Sequence, residues 1–281
     1  MTSLAITRVS LREAVSRRLV LVAALASVAF LALFAFGLNA LYSRADTGST
    51  SQSELAIGAT IITVLGLYVV RFLAALLAIF LASSAVAAEI DSGLLHAVLA
   101  RPLSRTSWLA QRWLAFVLIS VGYVALMTAA VMAISGGISH YAPVDFTRAL
   151  ALLGLELAVL LSLGLLTSTT WSAVTSGVVT FCLFGVAWLA GIIELIGQQI
   201  GNQSMRLIGI ATSLVVPSDA LWRGASFYMQ PPSVIAMTTA QGGGNPFAGT
   251  APPTTALVTW SIGYAACMLA IAAWRLRRRD L

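Results

Sequence analysis

Long apolar stretches follow one another along most of the chain, separated by short polar or charged segments. A helix that crosses the hydrocarbon of a bilayer needs about 20 apolar residues at 1.5 Å each. The pattern therefore predicts an all-α integral membrane protein, a single domain with six transmembrane helices. The predicted spans are 19–41, 55–88, 113–136, 149–167, 173–197 and 255–274. The second is far longer than one crossing requires, so we expect it to tilt or project beyond the bilayer.

The composition excludes an ordinary soluble protein. Of the 281 residues, 59% are hydrophobic and only 9% are charged, whereas a soluble domain carries about 25% charged residues. The two cysteines, Cys182 and Cys267, lie in apolar stretches, so neither a disulfide framework nor a cysteine-based metal site is expected.

The arginines predict the orientation. The sequence contains no lysine, and its arginines cluster at three places beside the spans. Basic residues concentrate in the cytoplasmic loops of membrane proteins, so a pI near 10.0 indicates topology and not nucleic-acid binding. With six crossings all three clusters lie on one side of the membrane, so we expect both termini in the cytoplasm. The expected location of the chain is the inner (plasma) membrane of the cell. The clusters are Arg8, Arg12, Arg17 and Arg18; Arg101, Arg105 and Arg112; and Arg275, Arg277, Arg278 and Arg279.

Two segments outside the spans have their own patterns. Residues 1–17 alternate apolar and basic positions, which predicts an amphipathic helix in the membrane interface; the alternative is a plain basic flank. Residues 198–253 form the outer segment, in which an apolar run at 207–216 precedes Pro217-Ser218-Asp219. That triplet is typical of a helix restart, and we expect short helices dipping into the outer interface. The Gly/Pro-rich run 241–253 predicts a flexible loop.

The sequence lacks the residues of an enzyme. It has no GxxxxGK[ST] phosphate-binding loop and no HExxH motif. His96 and His140 fall on opposite sides of the predicted membrane, so they cannot share a metal ion. We therefore expect no catalytic activity, no metal site and no cofactor bound by this chain.

Two charges lie inside predicted spans, Arg71 in the second and Glu156 in the fourth. Intramembrane charges often mark a substrate or proton pathway; the alternatives are a buried ion pair or an arginine that extends to the interface. Counted from the outer ends of the spans, at Leu55 and Ala149, their depths differ by roughly 13 Å. Direct pairing is therefore possible but not favoured. Small residues on spans four and five could line a dimer interface, among them Gly154, Gly164, Gly177, Gly185 and Gly191.

A compact charged and apolar segment follows the second span, at 89–105. Glu89 and Asp91 precede a predicted short helix with one apolar face, and Pro102 ends it. Such a helix suits docking into a groove of a soluble partner; the alternative is an amphipathic connector on the membrane surface.

This segment resembles a motif of type-2 ABC exporter permeases. Glu89, Gly93, Leu99, Pro102 and Ser104-Arg105 match the pattern E-x-x-x-G…L-x-x-P-[IL]-S-R, and the tail at 277–281 is similar to the F-x-R-R-D-[LIM] ending of these permeases. The topology agrees over nearly the whole chain. Within the family, the sequence is similar to the permease of the nitrous-oxide-reductase copper-assembly transporter.

The resemblance implies a transmembrane subunit that acts as a dimer with two separately encoded ATPases, which would bind the ATP and magnesium. It implies ATPase contacts through the cytoplasmic coupling helix and through a smaller loop at 167–172. It also implies a translocation path lined by spans two and five, whose aromatic lining would favour apolar or amphipathic cargo. The alternative is a mechanotransmitter that passes ATPase-driven motion to an extracytoplasmic partner.

The candidate site residues form two groups, the second of which joins the two intramembrane charges to aromatic residues on the spans that the resemblance selects. The ATPase-coupling candidates are Glu89, Asp91, Gly93, Leu94, Leu95, Val98, Arg101, Pro102, Arg105 and Thr169. The candidates for the translocation path are Tyr68, Arg71, Phe72, Glu156, Phe181, Phe184 and Trp188.

Overall fold

The computed structural model describes residues 18–45, 52–86, 104–139, 141, 143–240 and 247–278, and this part of the chain is all-helical. The predicted interfacial helix at 1–17 lies outside the described residues, as does nearly all of the predicted coupling segment. The described helices are α1 (Arg18–Ala45), α2 (Gln52–Ser83), α3 (Arg105–Ser139), α4 (Phe146–Ser168), α5 (Ala173–Gln199), α6 (Gln203–Val215), α7 (Ser218–Met229), α8 (Pro232–Ala240) and α9 (Thr255–Arg278).

Six of these helices, α1 to α5 and α9, are long and apolar enough to cross a membrane, which confirms the predicted number of spans. The short helices α6, α7 and α8 lie between α5 and α9 in the chain. The predicted third span is only part of α3, because the helix already begins at Arg105. Arg112 is therefore a buried helical residue and not part of the loop between spans.

The helices α2 and α4 form the centre of the bundle, where more of the side chains are buried than in the other spans. Glycine allows the two helices to approach closely: a Cβ atom at Gly164 of α4 would lie 2.6 Å from the Cβ of Ala82 on α2. Gly164 thus packs inside the chain, and the hypothesis that it lines a dimer interface is wrong.

One end of the bundle carries several arginines and is called the basic end. Here Arg105, at the start of α3, donates from Nη1 to the carbonyl of Leu276 in the last turn of α9, at 3.1 Å. The guanidinium of Arg277 donates to the hydroxyl of Thr106 at 3.3 Å. The ends of α2 and α4 lie at the same level as each other, because the Ser168 hydroxyl donates to the carbonyl of Ser83 at 2.9 Å.

The helix α2 ends at Ser83, five residues before the predicted end at Ala88. A turn follows in which the backbone N–H of Ala85 donates to the carbonyl of Ala82. The hydroxyls of Ser83 and Ser84 both donate to the carbonyl of Phe80, at 3.2 and 3.1 Å. Serines that bond local backbone carbonyls compete with helix continuation. The prediction of a single helix through Ala88 is therefore wrong.

The helices α5 and α6 form a tight antiparallel pair. The turn between them contains Gly201 with φ of 67°, a conformation that residues with a Cβ rarely adopt. Asn202 then caps α6 by accepting from the backbone N–H of Met205 at 3.2 Å. A Cβ at Gly209 would clash with the side chain of Glu194. The helix α6 thus runs back along α5 for about 20 Å. The part of the outer segment that follows α6 therefore does not remain at the outer surface.

The helix α7 is buried at the end of the bundle opposite the basic end, where α4 begins. Leu221, Trp222 and Met229 on α7 are almost fully buried. The Trp222 ring nitrogen donates to the carbonyl of Phe247 at 2.8 Å, and the Gly249 backbone N–H donates to the Ser226 hydroxyl at 2.8 Å. Within the predicted flexible run 241–253, the part from Phe247 to Gly249 is therefore fixed against α7, while 241–246 lies outside the described residues.

Candidate functional site

Four charged side chains from three helices meet inside the protein, and we call them the charge cluster. Arg71 of α2 donates from Nε to Glu156 Oε1 of α4 at 2.7 Å. Its Nη1 lies 3.4 Å from Asp219 Oδ1 of α7. The other oxygen of Asp219 accepts from Arg223 Nε at 2.9 Å. Two cations therefore face two carboxylates, and the cluster is neutral when all four groups are ionised.

The charge cluster is shielded from its surroundings. Arg71 and Glu156 are 3% and 1% exposed. The guanidinium carbon of Arg71 lies 5.4 to 5.6 Å from the ring centres of Tyr68, Phe184 and Trp222. Its Nη2 has no hydrogen-bond partner among the described residues. The faces of these three rings supply the remaining electrostatic stabilisation of the Arg71 guanidinium, because ring quadrupoles attract a cation.

The pairing of Arg71 with Glu156, which the depth count did not favour, is present. From the basic end the two positions are equivalent: Ser83 lies twelve residues after Arg71, and Ser168 lies twelve residues after Glu156. Because Ser83 and Ser168 are hydrogen-bonded to each other, the two charges are at the same level in parallel helices.

The depth count was wrong because it started from the opposite ends, which are not level. The helix α4 begins against α7: the backbone N–H of Asp145 donates to the carbonyl of Tyr228 at 3.0 Å. Asp145 caps α4, and the backbone N–H of Arg148 that it accepts lowers the pKa of its carboxyl group. Measured from the paired charges to the first residue of each helix, α2 is about 14 Å longer than α4.

Asp219 and Arg223 were predicted in the outer segment, and their place in the charge cluster is a finding that the sequence analysis missed. The close approach of α7 to α5 depends on Gly191, whose carbonyl accepts from Arg223 Nη2. A Cβ at Gly191 would overlap the carboxylate of Asp219. A signal was present in the sequence, since Asp219 and Arg223 are four residues apart and flank the apolar pair Leu221-Trp222, as on an amphipathic helix.

The residues predicted to line a translocation path divide into a buried set and an exposed set. Phe184 is buried beside Arg71 and does not line a surface of the chain. Phe72 and Phe181 are 40% and 43% exposed and lie beside each other, with ring centres 6.5 Å apart. Tyr68 and Trp188 are partly buried. Phe72 and Phe181 form what we call the aromatic face. Phe184 lies between this face and the charge cluster.

An apolar groove continues the aromatic face toward the basic end. It lies between α2 and α5, encloses about 510 Å³ and contains no charged residue. Its lining includes Leu76, Phe80, Ser83, Val174, Val178 and Phe181. Apolar side chains such as Phe80 and Val178 are exposed along it, so this face suits lipid chains, a second copy of the chain or apolar cargo.

Of the predicted ATPase-coupling residues, only two lie among the described residues. Arg105 begins α3 at the basic end and bonds the end of α9. Thr169 is buried at the end of α4, and its hydroxyl donates to the carbonyl of Leu166 at 2.7 Å. The other eight, from Glu89 to Pro102, lie outside the described residues. Among the described residues, no group of three His, Cys, Asp or Glu side chains is arranged to hold a metal ion.

The fold and the charge cluster define a multi-pass integral membrane protein. The chain belongs to the ABC-2 family of transporter proteins, whose family model matches residues 4–281. Membership makes it the transmembrane component of an ABC transporter, a complex in which such permeases work with ABC ATPase subunits. No curated protein sequence matches the chain.

Proposed function

We propose that this chain is the membrane subunit of an ATP-driven exporter of an apolar or amphipathic substrate. It hydrolyses no ATP itself and binds two ATPase subunits on the cytoplasmic side. The observation that carries the proposal is the family match over residues 4–281, combined with an arginine-rich end of the bundle at which α2 ends and α3 begins.

The ATPase contact is proposed at the basic end. Segment 87–103 joins the end of α2 to the start of α3, and both of these points lie at the basic end. The second proposed contact, the loop predicted at 167–172, contains the end of α4 at Ser168 and lies at the same end. Arginine enrichment there supports a cytoplasmic location for this end of the bundle, and cytoplasmic termini are part of the same proposal. The helix ends that flank these two segments thus lie at one end of the bundle, which supports a single ATPase partner for both.

The substrate path is proposed along the aromatic face of α2 and α5, between two copies of the chain. Exposed side chains on α2 lie three, four or eight residues apart, with the half-buried Leu76 inside the longest interval, and those on α5 lie three or four residues apart, so each helix presents an apolar stripe. The stripes contain Leu65, Val69, Phe72 and Phe80 on α2, and Val174, Val178 and Phe181 on α5. Because these stripes carry no charge, they support an apolar or amphipathic cargo and not an ion.

A second function is supported by the charge cluster. Arg71 connects α2, the helix that leads to the proposed ATPase contact, with Asp219 of α7. The helix α7 in turn holds Phe247 and Gly249 by hydrogen bonds. Motion of α2 would therefore reach the end of the bundle opposite the ATPase. This connection suits a mechanotransmitter acting on an extracytoplasmic partner, as the similarity to the copper-assembly permease suggests.

The proposed coupling is tested with Glu89→Ala and Gly93→Pro. Loss of the carboxylate removes a charge-assisted hydrogen bond or a helix cap. Proline at position 93 removes a backbone N–H and fixes φ at about −65° where the predicted helix begins, in place of a flexible glycine. We expect the permease-dependent stimulation of ATP hydrolysis by the partner ATPase to fall about tenfold in each variant. The measurement is the hydrolysis rate of the co-purified complex in lipid vesicles.

Glu54→Ala is the matched control, because Glu54 lies in the first turn of α2 at the other end of the helix. It should leave the stimulation unchanged, and all three variants should reach the membrane in equal amounts. Normal stimulation in both segment variants would exclude this segment as the ATPase contact.

A further inference from the structure

A single hydroxyl group joins the two segments that lead to the proposed ATPase contacts. Ser168, the last residue of α4, donates to the carbonyl of Ser83 at 2.9 Å. It also accepts from the backbone N–H of Val86 at 3.1 Å. Ser168 is fully buried, and so is Val86. Both hydrogen-bonding functions of this hydroxyl are thus used between the end of α2 and the end of α4.

The two residues that this hydroxyl bond joins each lie in or next to a proposed ATPase contact in the chain. Val86 is the last described residue before segment 87–103, and Ser168 immediately precedes segment 169–172. The first contains nearly all of the proposed coupling segment 89–105, and the second is the part of the proposed contact 167–172 that follows α4. We propose that Ser168 is a positioning residue that makes the two segments move as one unit when the ATPase acts on them. This inference rests on the proposed function.

The surrounding packing supports a rigid junction. Gly164, one turn before Ser168, packs against Ala82 closely enough that a Cβ would lie 2.6 Å from the Ala82 Cβ. On the other side, a Cβ at Gly177 of α5 would lie 3.4 Å from the Ser83 hydroxyl. The last turn of α2 therefore contacts both α4 and α5, and the Ser168 hydroxyl fixes its position along the helix axis.

A second set of buried hydroxyls ties α5 to the same junction. The Thr167 hydroxyl lies 2.7 Å from that of Ser176 and 3.0 Å from that of Thr180. Ser176 and Thr180 lie in the first turns of α5. Segment 169–172 is thus held at its start through Thr167 and Ser168, whose bonds reach α5 and α2 respectively. A displacement of either proposed ATPase contact must move all three helix ends together.

The test compares Ser168→Ala with Ser162→Ala. Ser162 is also a buried serine of α4, but its hydroxyl accepts from the ring nitrogen of Trp113 on α3, at 3.0 Å. Both substitutions remove one hydroxyl that links α4 to a neighbouring helix. Only Ser168→Ala breaks the link to α2. The two variants therefore separate a general loss of packing from loss of the junction.

Two measurements are made on each variant. In the permease alone, hydrogen–deuterium exchange of the peptide containing Val86 should be about tenfold faster in Ser168→Ala and unchanged in Ser162→Ala. In the complex with the ATPase, permease-dependent ATP hydrolysis should fall about tenfold in Ser168→Ala alone. Should Ser168→Ala not fold, Ser168→Cys retains the approximate size with a weaker donor and acceptor, and a smaller loss is expected.

The outcomes distinguish this inference from the proposed function. Faster exchange at Val86 with normal ATP hydrolysis would overturn the role of Ser168 in coupling. Equal losses of hydrolysis in Ser168→Ala and Ser162→Ala would overturn it as well, since packing alone would then explain the effect. Absence of any permease-dependent hydrolysis in the unmodified complex would instead contradict the proposed function, and with it the role assigned to Ser168.

Discussion

Replacing Arg71 with methionine is expected to lower the free energy of unfolding by about 3–5 kcal/mol, the usual result of leaving a buried charge without its partner. Glu156 loses its hydrogen bond from Arg71 Nε and stays inside the bundle. Asp219 keeps Arg223 as its partner. The main cost therefore comes from Glu156. The measurement is a denaturant titration of the permease in lipid–detergent micelles.

Two further variants identify the cause of the loss at Arg71. Arg148→Met removes an exposed arginine that pairs with Asp145, and it should change the free energy of unfolding by less than about 1 kcal/mol. Adding Glu156→Leu to Arg71→Met removes the unpaired carboxylate and should restore most of the lost stability. A double variant that is no more stable than Arg71→Met would show that the aromatic contacts of Arg71, and not its pairing, dominate.

Gly164→Ala is expected to destabilise the protein by about 1–3 kcal/mol, although alanine is the better helix former. The added methyl would lie 2.6 Å from the Ala82 Cβ, and the helices α2 and α4 would have to separate. This separation would also strain the hydrogen bonds of Ser168. We expect a lower thermal midpoint together with faster hydrogen exchange in the last turn of α2.

Gly154→Ala is the control on the same helix. A Cβ there would lie 3.4 Å from a methyl group of Val121, close to ordinary contact, so a neutral or slightly stabilising effect is expected from helix propensity. If Gly164→Ala were as stable as Gly154→Ala, α2 and α4 would not be as tightly packed as described.

The number of spans could be predicted from the sequence because it depends on local hydrophobicity alone. The end of α2 could not. Residues 85–88 are all apolar, so hydrophobicity continues to Ala88, while the helix ends at Ser83. The turn after Ser83 is held by the hydroxyl of Ser168, which is 85 positions away in the chain. A contact between residues so far apart in the chain produces no pattern in the sequence around either residue.

The charge cluster was predicted in part. The apolar context of Arg71 and Glu156 identified both as intramembrane charges. Whether they pair depends on their relative depth in the membrane, which must be counted from helix ends that lie at the same level. The outer ends gave the wrong level because α4 begins against α7. Asp219 was assigned to the outer side because it lies in the segment between the fifth and sixth predicted spans. Only the return of α6 along α5, made possible by Gly201 and Gly209, brings Asp219 to Arg71.

The central claim, that an ATPase drives this chain through the segment after α2, is tested most directly by site-specific photocrosslinking. A photoreactive amino acid is placed at Leu95 in the permease, which is then co-expressed with the partner ATPase. The control position is Val144, an exposed residue between α3 and α4 at the opposite end of the bundle. We expect a permease–ATPase crosslink from position 95 and none from position 144. A crosslink from position 144 alone would contradict it.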